Sequence, residues 1–198
     1  MRSIVLATHN PGKVSEITDL LKKFNLKIYS AKYFKITEPI ESGKTFAENA
    51  IIKSLYVSKK TNFPSLADDS GLCVPILNNQ PGIFSARWAG KEKNFQKASN
   101  LIEQKMRNIC SMTKKNREAF FCCALSLSIP NGDIYTFEGK VHGHLQFPPK
   151  GNNGFGYDSI FVPLKFKKTF GEMTHKYKER ISHRKKAFIK LEKYLFKV

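Results

Sequence analysis

Hydrophobic and polar positions at the start of the chain predict a strand, a tight loop and a helix. The segment Ser3–Ala7 is apolar after its first residue, which is typical of a buried strand. Turn residues follow in Thr8–Lys13, and apolar residues then recur at helical spacing from Val14 to Phe24. This arrangement would present backbone N–H groups and the positive end of a helix dipole to an anion. An ordinary strand-to-helix turn with an exposed lysine is the alternative interpretation.

A second helix is predicted after a loop that imitates a nucleotide-binding motif. Gly43–Thr45 looks like the end of a P-loop, but the position where that motif needs its first glycine is Glu38, and no strand leads into it. We therefore exclude a P-loop NTPase. Thr45 and Glu48 instead predict a capping box that opens a helix, with Lys53 on the helix but off its apolar stripe. The residues of that predicted stripe are Phe46, Ala50, Ile51 and Leu55.

The stretch Ser65–Gly71 carries two adjacent carboxylates, Asp68 and Asp69, directly after a short apolar run. We expect this run to be a strand that ends at the carboxylates, so that they meet a ligand instead of the core. Adjacent strand residues point in different directions, so one carboxylate can face an ion while the other braces the loop. Such oxygen ligands suit magnesium, and Glu41 in an earlier loop is a possible second ligand. Solvated acids in turns are the alternative at both places.

The middle of the chain predicts one more helix and a β-hairpin. Asn94–Met106 has helical spacing, and Ala119–Ile129 has the apolar character of a long strand. Pro130–Asp133 supplies a turn, after which Ile134–Val141 returns as the partner strand. A further short strand is expected at Val74–Leu77.

Two polar segments near the end of the chain are candidates for contact with a ligand. Lys150–Asp158 alternates glycines with Phe155 and Tyr157, which allows close backbone approach and leaves aromatic rings exposed for stacking on a flat base. A bulged strand is the alternative. Lys176–Lys186 leads into a C-terminal helix and places Ser182–Arg184 at the start of that helix. These three donors could read the oxygens of a purine, although a charge run on a solvated helix is the more common case.

Charge and cysteine content restrict the class of protein further. The 198 residues, 41% of them hydrophobic, can bury the core of one large domain or of two intimate lobes, and we expect a single domain over residues 1–198. The net charge of +18 is spread along the chain, and it fits a nucleic acid partner, a lysine-rich proteome or a small polyanionic substrate. The four cysteines are Cys73, Cys110, Cys122 and Cys123. They contain no C-x-x-C pair, which favours reduced thiols in the cytosol over zinc or redox sites. No stretch has the length of a signal peptide's apolar core or of a membrane span.

Six segments together resemble the inosine triphosphate pyrophosphatase family. They are LATHNPGK, TFAENAIIKS, LADDSGL, PGIFSARWAG, GNNGFGYDSIF and ISHRKKA, in this order within residues 4–187. The resemblance implies an α/β fold with an elongated mixed central sheet flanked by helices, and two lobes with a substrate cleft between them. It also implies hydrolysis of ITP, dITP and XTP to the monophosphate and pyrophosphate by a magnesium-dependent cytoplasmic homodimer. The expected partner is this small-molecule substrate, and neither nucleic acid nor a membrane.

The resemblance also implies roles for individual residues. Asp69 would be metal ligand and proton acceptor, Glu41 the second metal carboxylate with Glu38 as the alternative, and Ser70 a substrate contact. The residues implied to bind the triphosphate are Thr8, His9, Asn10, Pro11, Gly12, Lys13 and Lys53. The residues implied to hold the base are Phe155, Gly156, Tyr157, Asp158, Lys178, His183 and Arg184. Among all these positions, His9 stands where many relatives carry glycine.

The implied chemistry is attack of water on the α-phosphorus, with magnesium and lysines stabilising the charge that builds on the leaving pyrophosphate. Donors aimed at O6 of the base would oppose the N6 amino group of adenine and so reject ATP. Two rival functions remain at this stage. One is a basic nucleic-acid-binding protein without catalysis, and the other is a related pyrophosphatase for a different modified nucleotide.

Overall fold

A mixed β-sheet flanked by helices forms the centre of the fold. The computed structural model of the protein describes residues 2–109 and 111–195, so Cys110 lies outside the described residues. The strands are β1 (Ser3–Leu6), β2 (Lys27–Ser30), β3 (Ser65–Val74), β4 (Gln80–Pro81), β5 (Glu118–Ser128), β6 (Ile134–Leu145) and β7 (Phe161–Pro163). Their order is β2-β1-β3-β5-β6-β7, and β4 pairs with β3. β1 runs parallel to both β2 and β3, whereas β3–β4 and β6–β7 are antiparallel. The sheet confirms the predicted mixed α/β class.

The helices lie largely where residue spacing predicts them. They are α1 (Pro11–Leu21), α2 (Phe46–Thr61), α3 (Ser85–Trp88), α4 (Phe95–Arg107), α5 (His175–Ile181) and α6 (His183–Leu195). α6 begins at His183, which confirms the predicted position of Ser182–Arg184 at a helix start. Within the described residues, no helix combines the length and the apolar character that a membrane crossing requires.

The chain divides into two compact units, and each has its own core. The first unit contains Met1–Asp69, Cys123–Gly139 and Arg184–Val198. In β1 of this unit, Ile4 and Leu6 pack with residues of α1 and α6, while Val5 packs in a second cluster with residues such as Val57 of α2. Both faces of β1 are therefore covered, which explains why its sequence is apolar without alternation.

The second unit contains Ser70–Cys122 and Lys140–His183. Its core combines Leu72 and Val74 of β3 with Ile102 and Met106 of α4. Aromatic rings extend this core, and the Phe121 ring meets the Phe161 ring edge-on with 4.8 Å between the centroids. Such contacts fix the strands and loops that carry the polar residues of this unit.

The prediction that the third strand ends at the two aspartates is wrong. β3 continues to Val74, so Asp68 and Asp69 lie in the middle of a strand and are 0% and 6% exposed. Each of these carboxylates contacts a buried cation, which compensates for its removal from water. The predicted short strand Val74–Leu77 is also wrong, because Pro75–Leu77 forms a 3₁₀ turn after β3 ends.

The predicted apolar stripe of α2 is confirmed only at Ala50, because Phe46, Ile51 and Leu55 are half-buried. The buried residues of this helix are Asn49, Ala50, Lys53, Ser54, Val57 and Ser58. Ser54 can be buried because its hydroxyl lies 2.8 Å from the hydroxyls of both Ser126 and Ser128 on β5. The predicted helix cap is confirmed in one half: the Thr45 hydroxyl accepts from the Glu48 N–H, but the Glu48 carboxylate accepts from the Lys44 N–H instead of from Thr45.

Candidate active site

Several of the predicted site residues lie in three clusters of polar side chains, two in the first unit and one in the second. In the first unit, β3 directs Asp68 and Asp69 to its opposite faces. Asp68 lies with residues of α1 and α6, and Asp69 lies with Lys53 of α2. The two adjacent carboxylates therefore point in different directions and have different neighbours, as predicted.

Asp68 contacts donors from three different elements, α1, β5 and α6. Its Oδ1 is 2.5 Å from Lys13 Nζ, and its Oδ2 accepts from Arg184 Nε and from the Cys123 thiol, both at 2.9 Å. Burial alone would raise the pKa of the Asp68 carboxyl, but Arg184 and Lys13 outweigh burial and hold that pKa well below its usual value. Asp68 is therefore ionised at neutral pH, and it fixes the ammonium of Lys13.

Arg184 is fully buried beside Asp68. Its guanidinium also donates to Glu16 of α1, so two carboxylates hold this one cation. These contacts favour a role in holding Asp68 over the predicted role of Arg184 as a donor to the base. Sequence reasoning missed Glu16 and Cys123. The only available signal for Glu16 was its spacing of four residues from Leu20, which places it beside the buried face of α1.

Asp69 forms a second ionic cluster with Lys53 and Glu41. Lys53 Nζ lies 2.6 Å from Glu41 Oε1 and 3.1 Å from Asp69 Oδ1. Burial would lower the pKa of Lys53, but the carboxylates of Asp69 and Glu41 outweigh it and raise that pKa. Burial raises the pKa of Asp69, and the nearby lysines offset this rise only in part. Asp69 is thus the more basic of the two aspartates.

The carboxylate oxygens of this cluster are suitable ligands for a magnesium ion. Asp69 Oδ2 is a buried oxygen with no hydrogen-bond partner among the described residues. A buried carboxylate oxygen in that state is costly unless a cation or water satisfies it. Magnesium binds through one or two carboxylates and completes its shell with water and phosphate oxygens. Asp69 and Glu41 are the carboxylates that would hold it, because both lie within 3.1 Å of the same Lys53 Nζ atom.

The predicted phosphate loop overlaps with the start of α1. The Asn10 side chain accepts from the N–H groups of Gly12 and Lys13, at 3.0 and 3.3 Å, and Pro11 occupies the first helical position. The helix therefore begins before Val14, where the apolar spacing starts, and the last three residues of the predicted loop are its first turn. His9, just before this cap, contacts Ile36 and Glu38 in a different loop.

The second unit groups Phe155, Asp158 and Lys178. Lys178 Nζ lies 2.6 Å from Asp158 Oδ2, and the same oxygen accepts from the Phe155 N–H at 2.8 Å. Lys178 Nζ also lies 4.7 Å from the centroid of the Phe155 ring. The turn that makes these contacts requires φ of +75° at Gly154 and +68° at Gly156, a region that glycine adopts readily.

Three other predicted site residues, Tyr157, His183 and Ser70, also belong to the second unit. The prediction that Tyr157 is exposed for stacking is wrong, because it is 2% exposed and its hydroxyl donates to the Ser85 carbonyl. His183 is buried and stacks on Phe121, with 4.8 Å between ring centroids. Ser70 follows Asp69 in β3 and is half-buried.

Comparison with known proteins gives consistent matches over nearly the whole chain. The model of the Ham1 family matches residues 4–194. The dITP/XTP pyrophosphatase of Zymomonas mobilis is 45% identical over 95% of this chain and 89% of its own length. That of Caulobacter vibrioides is 46% identical over 98% of this chain and 97% of its own length.

Solved structures agree with the sequence matches. A HAM1 protein from Coxiella burnetii superposes with a TM-score of 0.90 at 34% identity and covers 100% of both chains. The Ham1 protein of Staphylococcus aureus gives a TM-score of 0.85 at 35% identity and covers 98% of both chains. The resemblance carried by the six sequence segments is thereby confirmed, and the chain belongs to the Ham1 family.

Proposed function

We propose that this protein is a nucleoside triphosphate pyrophosphatase that hydrolyses non-standard purine nucleotides, dITP, XTP and ITP, to the monophosphate and pyrophosphate. The observation that carries the proposal is the cluster of Asp69, Glu41 and Lys53, in which the buried Oδ2 of Asp69 has no hydrogen-bond partner among residues 2–109 and 111–195. This cluster occurs in a chain that is 45% identical to a dITP/XTP pyrophosphatase. Removal of such nucleotides would prevent their incorporation into DNA and RNA.

The cluster in the first unit suits the phosphate chemistry. Asp69, whose pKa is raised by burial, would orient the attacking water and accept its proton. This role requires that the bound metal leaves one carboxylate oxygen of Asp69 free. Lys53 and Lys13 would stabilise the negative charge of the phosphates, each held in place by an aspartate. Magnesium held by Asp69 and Glu41 would supply further positive charge to the leaving pyrophosphate.

The group in the second unit suits recognition of the base. The half-buried ring of Phe155 would stack on the purine, and Lys178 and His183 would supply donors to its 6-oxo group. Adenine presents an amino group at that position, so buried donors would be left opposed to it. A mismatch of this kind can be worth about 10⁴-fold in specificity.

Three further parts of the proposal rest on the resemblance to the inosine triphosphate pyrophosphatase family. They are dependence on magnesium, assembly as a homodimer and location in the cytoplasm. The first can be tested with the activity itself, by removal of magnesium with a chelator. The second requires a measurement of mass in solution.

The decisive experiment is a pyrophosphate-release assay with ITP, XTP, dITP, ATP and GTP, with and without magnesium, on the wild type and on Asp69→Asn. We expect the substitution to lower kcat by about 10² to 10⁴-fold, the usual contribution of a positioned general base. The binding of ITP should change much less, because the phosphate-binding lysines remain.

Asp133→Asn is the matched control, because Asp133 is an exposed aspartate in the turn between β5 and β6. This variant should keep the activity of the wild type. Full activity of Asp69→Asn would refute the catalytic role of Asp69. Equal turnover of ATP and ITP by the wild type would refute the proposed substrate specificity.

A further inference from the structure

His9 joins two segments of the first unit that are far apart in the chain. Its backbone N–H donates to Glu38 Oε1 at 3.1 Å, and its ring nitrogen Nε2 lies 2.8 Å from the carbonyl oxygen of Ile36. A carbonyl oxygen can only accept, so Nε2 must carry the proton of this hydrogen bond. The other ring nitrogen, Nδ1, lies 3.3 Å from Glu38 Oε1. His9 therefore makes two hydrogen bonds to the segment from Ile36 to Glu38, one from its backbone and one from its ring.

The contacted segment has no regular secondary structure of its own. Residues 36–43 belong to neither a helix nor a strand. The segment is anchored at its start by the Ile36 N–H, which donates to the Ala31 carbonyl, and at its end by the Gly43 N–H, which donates to the Asn49 side chain. Between these anchors lies Glu41, the carboxylate that contacts Lys53. Its position depends on whatever holds the loop around it.

We propose that His9 is a positioning residue that holds the Ile36–Glu41 segment in place, and thereby fixes the Glu41 carboxylate beside Asp69. The inference rests on the proposed function, in which Glu41 is a metal ligand. His9 precedes the cap of α1, so it would also tie the loop for the triphosphate to the loop for the metal. Residues that orient metal ligands from outside typically affect metal affinity by about 10- to 100-fold.

The test compares His9→Ala with His9→Gln. Alanine keeps the backbone N–H that donates to Glu38 and removes the ring, whereas the glutamine amide can still donate to the Ile36 carbonyl. We expect His9→Ala to raise the magnesium concentration for half-maximal ITP hydrolysis by about 10-fold, with a much smaller loss of kcat at saturating magnesium. His9→Gln should restore most of the difference. A general folding defect would instead lower kcat at every magnesium concentration.

Two measurements do not depend on turnover. Hydrogen exchange of the backbone amides in residues 36–43 should be faster in His9→Ala than in the wild type, and close to the wild type in His9→Gln. Calorimetric titration with magnesium chloride should show weaker binding by His9→Ala. His175→Ala is the control, because His175 is exposed at the start of α5, and it should change neither measurement.

The outcomes separate this inference from the proposed function. If the wild type hydrolyses ITP but His9→Ala keeps the magnesium dependence and amide exchange of the wild type, the role of His9 is refuted and the proposed function stands. If the wild type does not hydrolyse ITP, the proposed function is wrong. Amide exchange then still decides whether His9 holds the segment.

Discussion

The two adjacent aspartates of β3 have opposite electrostatic surroundings. Asp68 is fully buried and its pKa is held well below the usual value by Arg184 and Lys13, which outweigh the effect of burial. Asp69 has a raised pKa, because burial exceeds the effect of the lysines near it. A group that stays charged suits the fixing of cations, and a more basic group suits proton transfer. One strand thus supplies both an ionic support and the proposed catalytic residue.

Asp68→Asn should destabilise the protein at neutral pH. The substitution removes the charge between Arg184 and Lys13 and leaves two buried or half-buried cations with weaker partners. Breaking a buried pair in this way typically costs about 3 to 5 kcal/mol. The free energy of unfolding, measured in urea at pH 7, should fall by an amount of that order, whereas the exposed Asp133→Asn should change it little.

The contribution of Asp68 should also depend on pH in a defined direction. Because its folded pKa lies below its unfolded value of about 3.9, the stabilisation is complete above that value and is lost as pH falls through the folded pKa. The wild type should therefore lose stability in acid more steeply than Asp68→Asn. Parallel stability curves for the two proteins below about pH 4 would contradict the assignment.

At the scale of elements, the spacing of apolar residues predicts helices that bury one apolar face and strands that are apolar and buried on both faces. The predicted helix Asn94–Met106 and strand Ala119–Ile129 differ from α4 and β5 by one residue at each end. The buried face of α2 could not be predicted in this way, since its Lys53 and Ser54 are satisfied by partners from distant parts of the chain. Burial of polar residues is decided by tertiary contacts, which leave no periodic signal.

The candidate site shows the same limit. No single segment predicted the site, because each segment can also be explained as an ordinary turn or a charge run. Only the six segments together, in their order, identified the family. The opposite directions of Asp68 and Asp69 follow from the geometry of any strand. Glu16 and Cys123 could not be foreseen as partners of Asp68, since only the fold brings α1 and β5 to this carboxylate.

The turn over residues 154–158 allows a test at the scale of an element. A methyl group at Gly154 would collide with the Asp158 carboxylate, and the φ of +75° there is strained for alanine. Gly154→Ala should therefore displace Asp158 from Lys178 and lower kcat/KM for ITP, by up to about 100-fold if the displacement reaches 1 Å. Steady-state kinetics with ITP and ATP measure both the loss and any change in selectivity.

Gly90→Ala is the matched control for the backbone strain. Gly90 has a φ of +72° but open space where the methyl group would lie. Both variants should lose about 1 to 2 kcal/mol of unfolding free energy from the left-handed conformation. An equal kcat/KM for the two variants would mean that the Asp158–Lys178 pair does not organise base recognition.

At the scale of the whole molecule, the net charge of +18 leaves a choice between two polyanions. A nucleic-acid-binding protein that neutralises several phosphates has an affinity that falls steeply with salt, with a slope of about −0.9 per phosphate contact on a duplex. A site for one triphosphate needs only a few cations, and the proposed site has Lys13 and Lys53, each in contact with an aspartate. The charge alone does not separate the two functions, but the salt dependence of binding does.

We therefore expect the protein to bind a short DNA duplex only weakly, with a dissociation constant of about 10⁻⁴ to 10⁻⁶ M near physiological salt, as for sequence-independent contacts. Under the proposed function the Asp69 cluster takes a single nucleoside triphosphate, so the duplex should not inhibit ITP hydrolysis at concentrations near that of the enzyme. Fluorescence anisotropy across a salt series and the pyrophosphate assay with added duplex measure the two effects. Binding far tighter than this range, together with competition against ITP, would favour the nucleic-acid function. Asp69→Asn should bind the duplex as the wild type does, since the proposed role of Asp69 is in hydrolysis of the triphosphate.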